Sequence, residues 1–369
     1  MENKPTVMAE YDSKCRLYQN FASEIEHQLK NILGAEGIIY NAVTCRLKDR
    51  ESLSKKIDRK NDKYVSLSDL TDIAGIRIIT YYTEDVDKVA EIVEREFVVD
   101  RENSIDKRDS LEPDRFGYCS VHYVVEMSRK RLDLPECQAY GGLKCEIQIR
   151  SVLQHAWAEI EHDLGYKSEI AIPKRIRRNF SRLAGLLEIA DKEFQEIRSS
   201  LQSYQNEAIE KVKSEEFQDD EIDAILLKTI ITTNPDIEEL NKTIGNYCHC
   251  PLSQEISTTS LEKRIDELHW HGIYTVSQLI NSIENNKHTA IIIAENFLQN
   301  DAMDENSPKT PISKTIAVFY ICFAEIVRRN LDYDQTMQYF EESHIFFGTE
   351  REDAVRFLLQ LSKEIHKPA

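Results

Sequence analysis

Asp69-Leu-Thr-Asp72-Ile-Ala-Gly75-Ile-Arg77-Ile-Ile-Thr-Tyr-Tyr82 is the stretch on which the reading of this chain turns. An acidic residue stands just before an apolar, β-branched run, and an arginine interrupts that run. Ile76 to Tyr82 has the composition of a strand. A carboxylate at the start of a strand, beside a loop, is placed to hold a metal at a sheet edge. A guanidinium inside an apolar strand is costly unless it meets a partner. Taken alone, the stretch reads more simply as a turn aspartate and a strand arginine facing water. Its neighbours change that balance.

Upstream lies Arg46-Leu-Lys48-Asp-Arg50-Glu-Ser52-Leu-Ser-Lys55-Lys56-Ile-Asp-Arg59. Residues 46–63 hold eight Lys/Arg against four Asp/Glu. In a helix over 50–60, positions 52, 55, 56 and 59 share one face. Hydroxyl, ammonium and guanidinium groups together suit a polyphosphate. No glycine-rich phosphate loop is present, so side chains must build any such cradle. Downstream, Phe116-Gly117-Tyr118-Cys-Ser120-Val-His122 precedes a strand over 119–127. The glycine permits close backbone approach, Tyr118 can stack on a planar base, and Ser120 and His122 alternate onto one strand face. A further strand, 144–150, carries Glu146, Gln148 and Arg150 on one face and Cys145, Ile147 and Ile149 on the other. The first face is too polar for a core. A carboxylate there that meets Asp72 across a sheet would supply a Mg²⁺ site, since Mg²⁺ takes one or two carboxylates plus substrate phosphates.

Around these segments the pattern predicts helices over 10–33 and 84–96 and strands over 38–45 and 97–100. A loop follows over 101–117, and helices run from 151 to about 213 with breaks near Gly165 and Pro173. Residues 215–369 show only helix-like runs: 221–232, 260–284, 288–299, 312–329 and 351–366. The expected architecture is α+β. A mixed sheet flanked by helices occupies 1–210, and an acidic all-α region of unassigned role, a regulatory or neutralising candidate, occupies 211–369. At 41% hydrophobic residues the chain can build real cores. Of the net charge of −18, residues 1–210 carry −6 and the remainder −12, which argues against broad non-specific DNA binding. No apolar run is long enough to cross a bilayer, so no membrane partner is expected. Met1-Glu-Asn-Lys-Pro5 has no signal-type run, and the eight cysteines are scattered. Reduced thiols and a cytoplasmic location follow as expectations. Cys248-His249-Cys250 lacks the spacing of a common zinc site.

The ordered set Arg46-x-Lys48-x₃-Ser52, Asp72-Ile-Ala-Gly-Ile-Arg77, Gly117-Tyr118-x-Ser120-x-His122 and Glu146-x-Gln148-Ile-Arg150 resembles the synthetase domain of the RelA/SpoT family. The likeness is strongest to its small alarmone synthetases and covers roughly residues 20–200. The resemblance implies a nucleotidyltransferase-like sheet and a pyrophosphokinase. A ribose 3′-hydroxyl attacks the β-phosphorus of ATP, the β,γ-diphosphate moves, and AMP leaves. GDP or GTP as acceptor gives guanosine tetra- or pentaphosphate. By the same resemblance, Asp72 and Glu146 bind Mg²⁺, and Glu146 with Gln148 belongs to the catalytic set. Arg46 and Arg77 sandwich the adenine, and Lys48, Ser52, Lys56 and Arg59 hold the triphosphate. Lys107, Tyr118, His122 and Arg150 fall on the acceptor side. The family's habit of assembling makes a homo-oligomer the expectation.

The chain departs from this pattern ahead of Tyr118. Guanosine-tetraphosphate makers carry a Lys-x-Tyr strand and a Pro-Lys-x-Asn-Gly-Tyr loop. Here Asp106-Lys107-Arg108-Asp109 and Pro113-Asp114-Arg115-Phe116-Gly117-Tyr118 stand instead. Lys107 takes the place of the first lysine, and Asp114 reverses the charge of the second. That points to a second branch of the family, toxic relatives that pyrophosphorylate the tRNA 3′ end or make an adenosine alarmone. With tRNA as acceptor, Lys174, Arg175, Arg177 and Arg178 become candidate backbone contacts. An inactive nucleotide-binding regulator is the remaining alternative.

Overall fold

A computed structural model describes residues 3–59, 64–106, 120–166, 174–214, 220–299, 310–345 and 349–366. Two compact units divide the chain, Met1–Ser199 and Ser200–Ala369. The division falls inside one helix, Lys174–Ser214, as does the expected boundary at 210/211.

In the first unit the order is α1 (Lys4–Ala35), β1 (Tyr40–Leu47), α2 (Arg50–Arg59), β2 (Ala74–Thr80), α3 (Thr83–Glu96), β3 (Phe97–Val99), β4 (Ile105–Asp106), β5 (Val121–Met127), α4 (Arg129–Leu132), β6 (Cys145–Ser151), α5 (Val152–Tyr166) and α6 (Lys174–Ser214). The strands form one mixed sheet in the order β1-β2-β6-β5-β3, with β4 paired to β5. β2 and β6 run parallel at its centre, and the other pairings are antiparallel. The expected α+β architecture with a helix-flanked mixed sheet is therefore the observed one.

Alternation sorts the sheet into two faces. Ile76, Ile78, Cys145, Ile147, Ile149, Val121 and Val125 are all buried on one of them. Residues of α1 and α3 close over this face: Phe21, Ile25, Leu29 and Leu33 recur at helical spacing on α1, and Val86, Val89 and Val93 on α3. Each such side chain contributes about 1.5–3 kcal/mol by leaving water. Pro5 is tolerated in α1 because the first turn needs no N–H there. The other sheet face carries the polar residues.

Pairing extends β1 past the expected end at Cys45, because Arg46 and Leu47 continue the ladder against Gly75 and Ala74. Within the stretch expected to be loop, Ile105 and Asp106 add a short edge strand on β5. α5 runs through Gly165 to Tyr166 and α6 begins at Lys174, and the expected break at Pro173 lies outside the described residues.

The second unit is helical among its described residues: α7 (Ala224–Thr233), α8 (Pro235–Tyr247), α9 (Thr258–Trp270), α10 (Val276–Gln299), α11 (Ile316–Arg328), α12 (Tyr333–Glu342) and α13 (Thr349–Ile365). The run expected over 260–284 is two helices, because Gly272 turns the chain at φ +74°. α8 and α12 go beyond the expected runs. Its core is built on α11, buried along nearly its whole length from Ala317 to Val327. Cys248 and Cys250 hydrogen-bond to backbone carbonyls. Among the described residues no His/Cys/Asp/Glu group of three or more could hold a metal. The described cysteines are free thiols.

Candidate active site

Register fixes which side chains share the polar face. Arg46 lies opposite Gly75 and Thr44 opposite Arg77. Gly75 and Arg77 pair in turn with Glu146 and Gln148. Gln148 faces His122, and Glu146 faces Val124. One row across the sheet thus reads Arg46, Gly75, Glu146, and the next Thr44, Arg77, Gln148, His122. Segments far apart in sequence deliver these groups to one surface because the side-chain period of a strand is two.

Asp72 sits in the turn that feeds β2. Its Oδ2 accepts hydrogen bonds from Lys48 Nζ at 2.8 Å and Lys56 Nζ at 2.7 Å. The end of β1 is tied to this turn by Lys48 N–H donating to Ile73 O, and Tyr11 Oη donates to Lys48 O. On α2, Asp49 caps the first turn by accepting from Ser52 N–H, and burial of Leu53 and Ile57 fixes the helix roll. Lys56 thereby reaches Asp72. Ser52 and Arg59 are solvent-facing on the same helix. Burial pushes the Asp72 carboxyl up, but Lys48 and Lys56 outweigh it and hold the group below its ordinary range. The other oxygen, Oδ1, is buried without a hydrogen-bond partner.

Glu146 is gripped from both sides. His122 Nδ1 lies 3.1 Å from Oε1, and Gln148 Nε2 donates to Oε2 at 3.0 Å. The His122 ring is itself fixed by Ser120 Oγ, 2.6 Å from Nε2. Burial raises the Glu146 carboxyl, and His122 and then Gln148 bring it below the usual value. Asp72 acts in the opposite sense, so the two carboxylates feel one another. This pair fits a divalent cation. Asp72 Oδ1 is an orphaned buried oxygen, and two carboxylates leave coordination positions for phosphate oxygens and water.

Three guanidiniums gather beside the pair. Arg46 lies over Gly75, where an added Cβ would stand 3.4 Å from its Cγ and Nε. Arg77 Nη2 is 3.1 Å from Glu159 Oε1 on α5. Burial, then the Arg77 charge, lowers the Arg150 pKa. Arg150 Nη2 also donates to Gln148 Oε1 at 3.4 Å. His155, one turn before Glu159, is pushed down by burial and by Arg77. Glu159, His155 and Tyr11 were not singled out by motif. The signal that could have found the first two is His-x₃-Glu at helical spacing directly after the Glu146 strand. Lys107 and Tyr118 lie outside the described residues. Of the basic run at the start of α6, Arg175 and Arg178 are exposed.

Comparison with known proteins matches residues 45–171 to a family model described as a region found in RelA / SpoT proteins. GTP pyrophosphokinase YjbM of Bacillus subtilis is 33% identical over 182 residues, 48% of this chain and 80% of that protein. The chain belongs to the RelA/SpoT family. Another relative, GTP pyrophosphokinase YwaC of the same organism, is 24% identical over 210 residues, covering 54% of this chain and 96% of its own length. The crystal structure of small alarmone synthetase 1 from B. subtilis aligns with 28% identity and a TM-score of 0.45, over 53% of this chain and 99% of that one. As a member of this family, the protein is a diphosphotransferase at family level. The matched span contains Arg46, Asp72, Arg77, His122 and Glu146, and it ends before α6.

Proposed function

We propose that the protein transfers the β,γ-diphosphate of ATP to the ribose 3′-hydroxyl of GDP or GTP. The observation that carries this reading is the carboxylate pair, Asp72 in the turn before β2 and Glu146 on the polar sheet face, with Lys48 and Lys56 on Asp72 and three arginines near Glu146. Diphosphoryl transfer depends on positioning and on neutralising charge, and this face is built for both. Mg²⁺, held by Asp72 and Glu146, would neutralise phosphate charge. An ammonium has three donors, so Lys48 and Lys56 can keep Asp72 and still reach phosphate oxygens, with Ser52 and Arg59 further along α2. Arg46 and Arg77 face a planar base. His122 and Gln148 hold the Glu146 carboxylate in the orientation from which it can accept the 3′-hydroxyl proton. Tyr118, Lys107 and Arg150 are assigned to the acceptor.

A second reading rests on Asp114, whose charge is opposite to that of the loop lysine of guanosine-tetraphosphate makers. It makes the tRNA 3′ end or an adenosine nucleotide the acceptor, with Arg175 and Arg178 available to a nucleic-acid backbone. One assay decides: the full chain, Mg²⁺ and γ-labelled ATP, offered GDP, GTP, ATP or deacylated tRNA in turn. Label on GDP and GTP is the expected result. Label on tRNA or ATP alone establishes the second reading. No transfer to any acceptor by folded protein leaves a nucleotide-binding regulator.

A further inference from the structure

α5 brings the acidic side chain of Glu159 to Arg77. Its Oε1 lies 3.1 Å from Arg77 Nη2 and 3.8 Å from His155 Nδ1. Its charge also acts on Arg150. Arg77 is mostly buried, and its Nε has no hydrogen-bond partner. Glu159 therefore supplies the ion pair that orients this guanidinium. The contact is made at one terminal nitrogen, Nη2. A contact at one terminal nitrogen holds the guanidinium by its end, whereas stacking on a base uses a face. Without the carboxylate, the cluster of Arg77, Arg150 and Arg46 would have one counter-charge fewer, and repulsion would act to turn Arg77 away. Nothing in phosphate binding needs Glu159, because the lysines that hold Asp72 come from β1 and α2.

We propose that Glu159 is a positioning residue for the donor base. It tethers Arg77 by one terminal nitrogen so that the guanidinium stays in place for the purine of the incoming nucleoside triphosphate. The proposal rests on the donor site described above and deepens it. Glu159 touches no reacting atom and acts through Arg77.

The test uses the full chain and two variants, Glu159→Gln, which keeps shape and one acceptor, and Glu159→Ala. Binding of a non-hydrolysable ATP analogue and of inorganic tripolyphosphate is measured by calorimetry, with Mg²⁺ present, and circular dichroism checks the fold. Native protein is expected to bind the analogue more tightly than tripolyphosphate. In the alanine variant that advantage falls about tenfold, the size of one lost cation–π contact, with the glutamine variant between. Tripolyphosphate affinity stays unchanged. In steady state the KM for ATP rises by the same factor, while kcat and the acceptor KM stay within about twofold. Two results would overturn the assignment: variants that keep the full base-dependent advantage, or variants that lose tripolyphosphate and analogue equally, as a merely structural tie between α5 and the sheet predicts. If native protein gains nothing from the base, the Arg46–Arg77 clamp itself falls, and this proposal with it.

Discussion

Replacing Asp72 by asparagine separates what the carboxylate does for the fold from what it does for the reaction. In the native protein one oxygen faces two ammonium groups at 2.8 and 2.7 Å. Unit charges about 4 Å apart attract by about 4 kcal/mol at an effective dielectric of about 20. Desolvation cancels much of that, and removing one partner of a buried pair costs about 3–5 kcal/mol. Here the Lys48 and Lys56 side chains are 18% and 28% exposed, so they can relax toward water. The expected loss is therefore smaller, about 2 kcal/mol or a factor of about thirty in the folding equilibrium. The chain has two tryptophans, Trp157 and Trp270, one in each unit. Urea unfolding followed by Trp157 in a Trp270→Phe background reports the first unit alone. Because the folded-state pKa of Asp72 is depressed, its stabilisation is present above the unfolded value of about 3.9 and is lost as pH falls through the folded value. The gap between native and variant should hold near neutrality and close below about pH 4. Binding should move the other way. With the carboxylate gone, Lys48 and Lys56 are free for phosphate, so Asp72→Asn should bind metal-free ATP at least as tightly as native protein and yet transfer nothing. Weaker metal-free binding, or a stability gap that ignores pH, would refute the account of this site.

Glu146→Gln should abolish transfer while nucleotide binding, read by calorimetry, persists; an active variant would remove Glu146 from the reacting centre. His122→Ala should lower kcat by about tenfold to a hundredfold with a smaller change in donor KM, since it frees a carboxylate whose orientation matters in the transition state. Tyr118→Ala should raise the acceptor KM and leave donor KM alone. In the second unit, burial pushes His271 down to about 3 and Glu267 up to about 7. His271 makes stability fall as pH drops from 6.5 toward 3, and Glu267 makes it fall as pH rises from 4.5 toward 7. The two slopes, each about 1.4 kcal/mol per pH unit, oppose one another in the overlap. Trp270 fluorescence during urea unfolding should show acid sensitivity below pH 4.5 that His271→Phe removes.

The sheet was legible because its strands state their faces in alternation. Ile76, Ile78, Cys145, Ile147 and Ile149 declare a core, and Arg77, Glu146, Gln148 and Arg150 declare its opposite. Places where pairing or a single backbone angle decides were less legible. β1 extends through Arg46 because a partner strand is there, which no local propensity records. Gly272 splits an apparently continuous helical run by adopting φ +74°. Pro235 looks like a breaker yet opens α8, where the Asn234 side chain caps the helix. At the site, residue types at fixed spacing announced Asp72 and Glu146. Glu159 stayed hidden because its meaning depends on which face of α5 meets the sheet, a tertiary fact.

Arg77 shows how fold and chemistry constrain each other here. A guanidinium in the central part of a sheet would ordinarily be a liability, since its desolvation must be offset by a partner. The sheet accepts it because β2 has a glycine two residues earlier, leaving room for Arg46 to lie alongside, and because α5 brings the Glu159 carboxylate to it. The three features serve no core. Gly75 lies two residues from Arg77 on the same face, opposite Arg46 and beside Glu146. The stability this arrangement forgoes is retained as a flat, cationic surface within reach of a carboxylate pair. A protein that only needed to fold would place isoleucine at position 77, as it does at 76, 78 and 79. In the proposed donor site, an arginine held in that place by its partners is available to meet a planar base joined to phosphates.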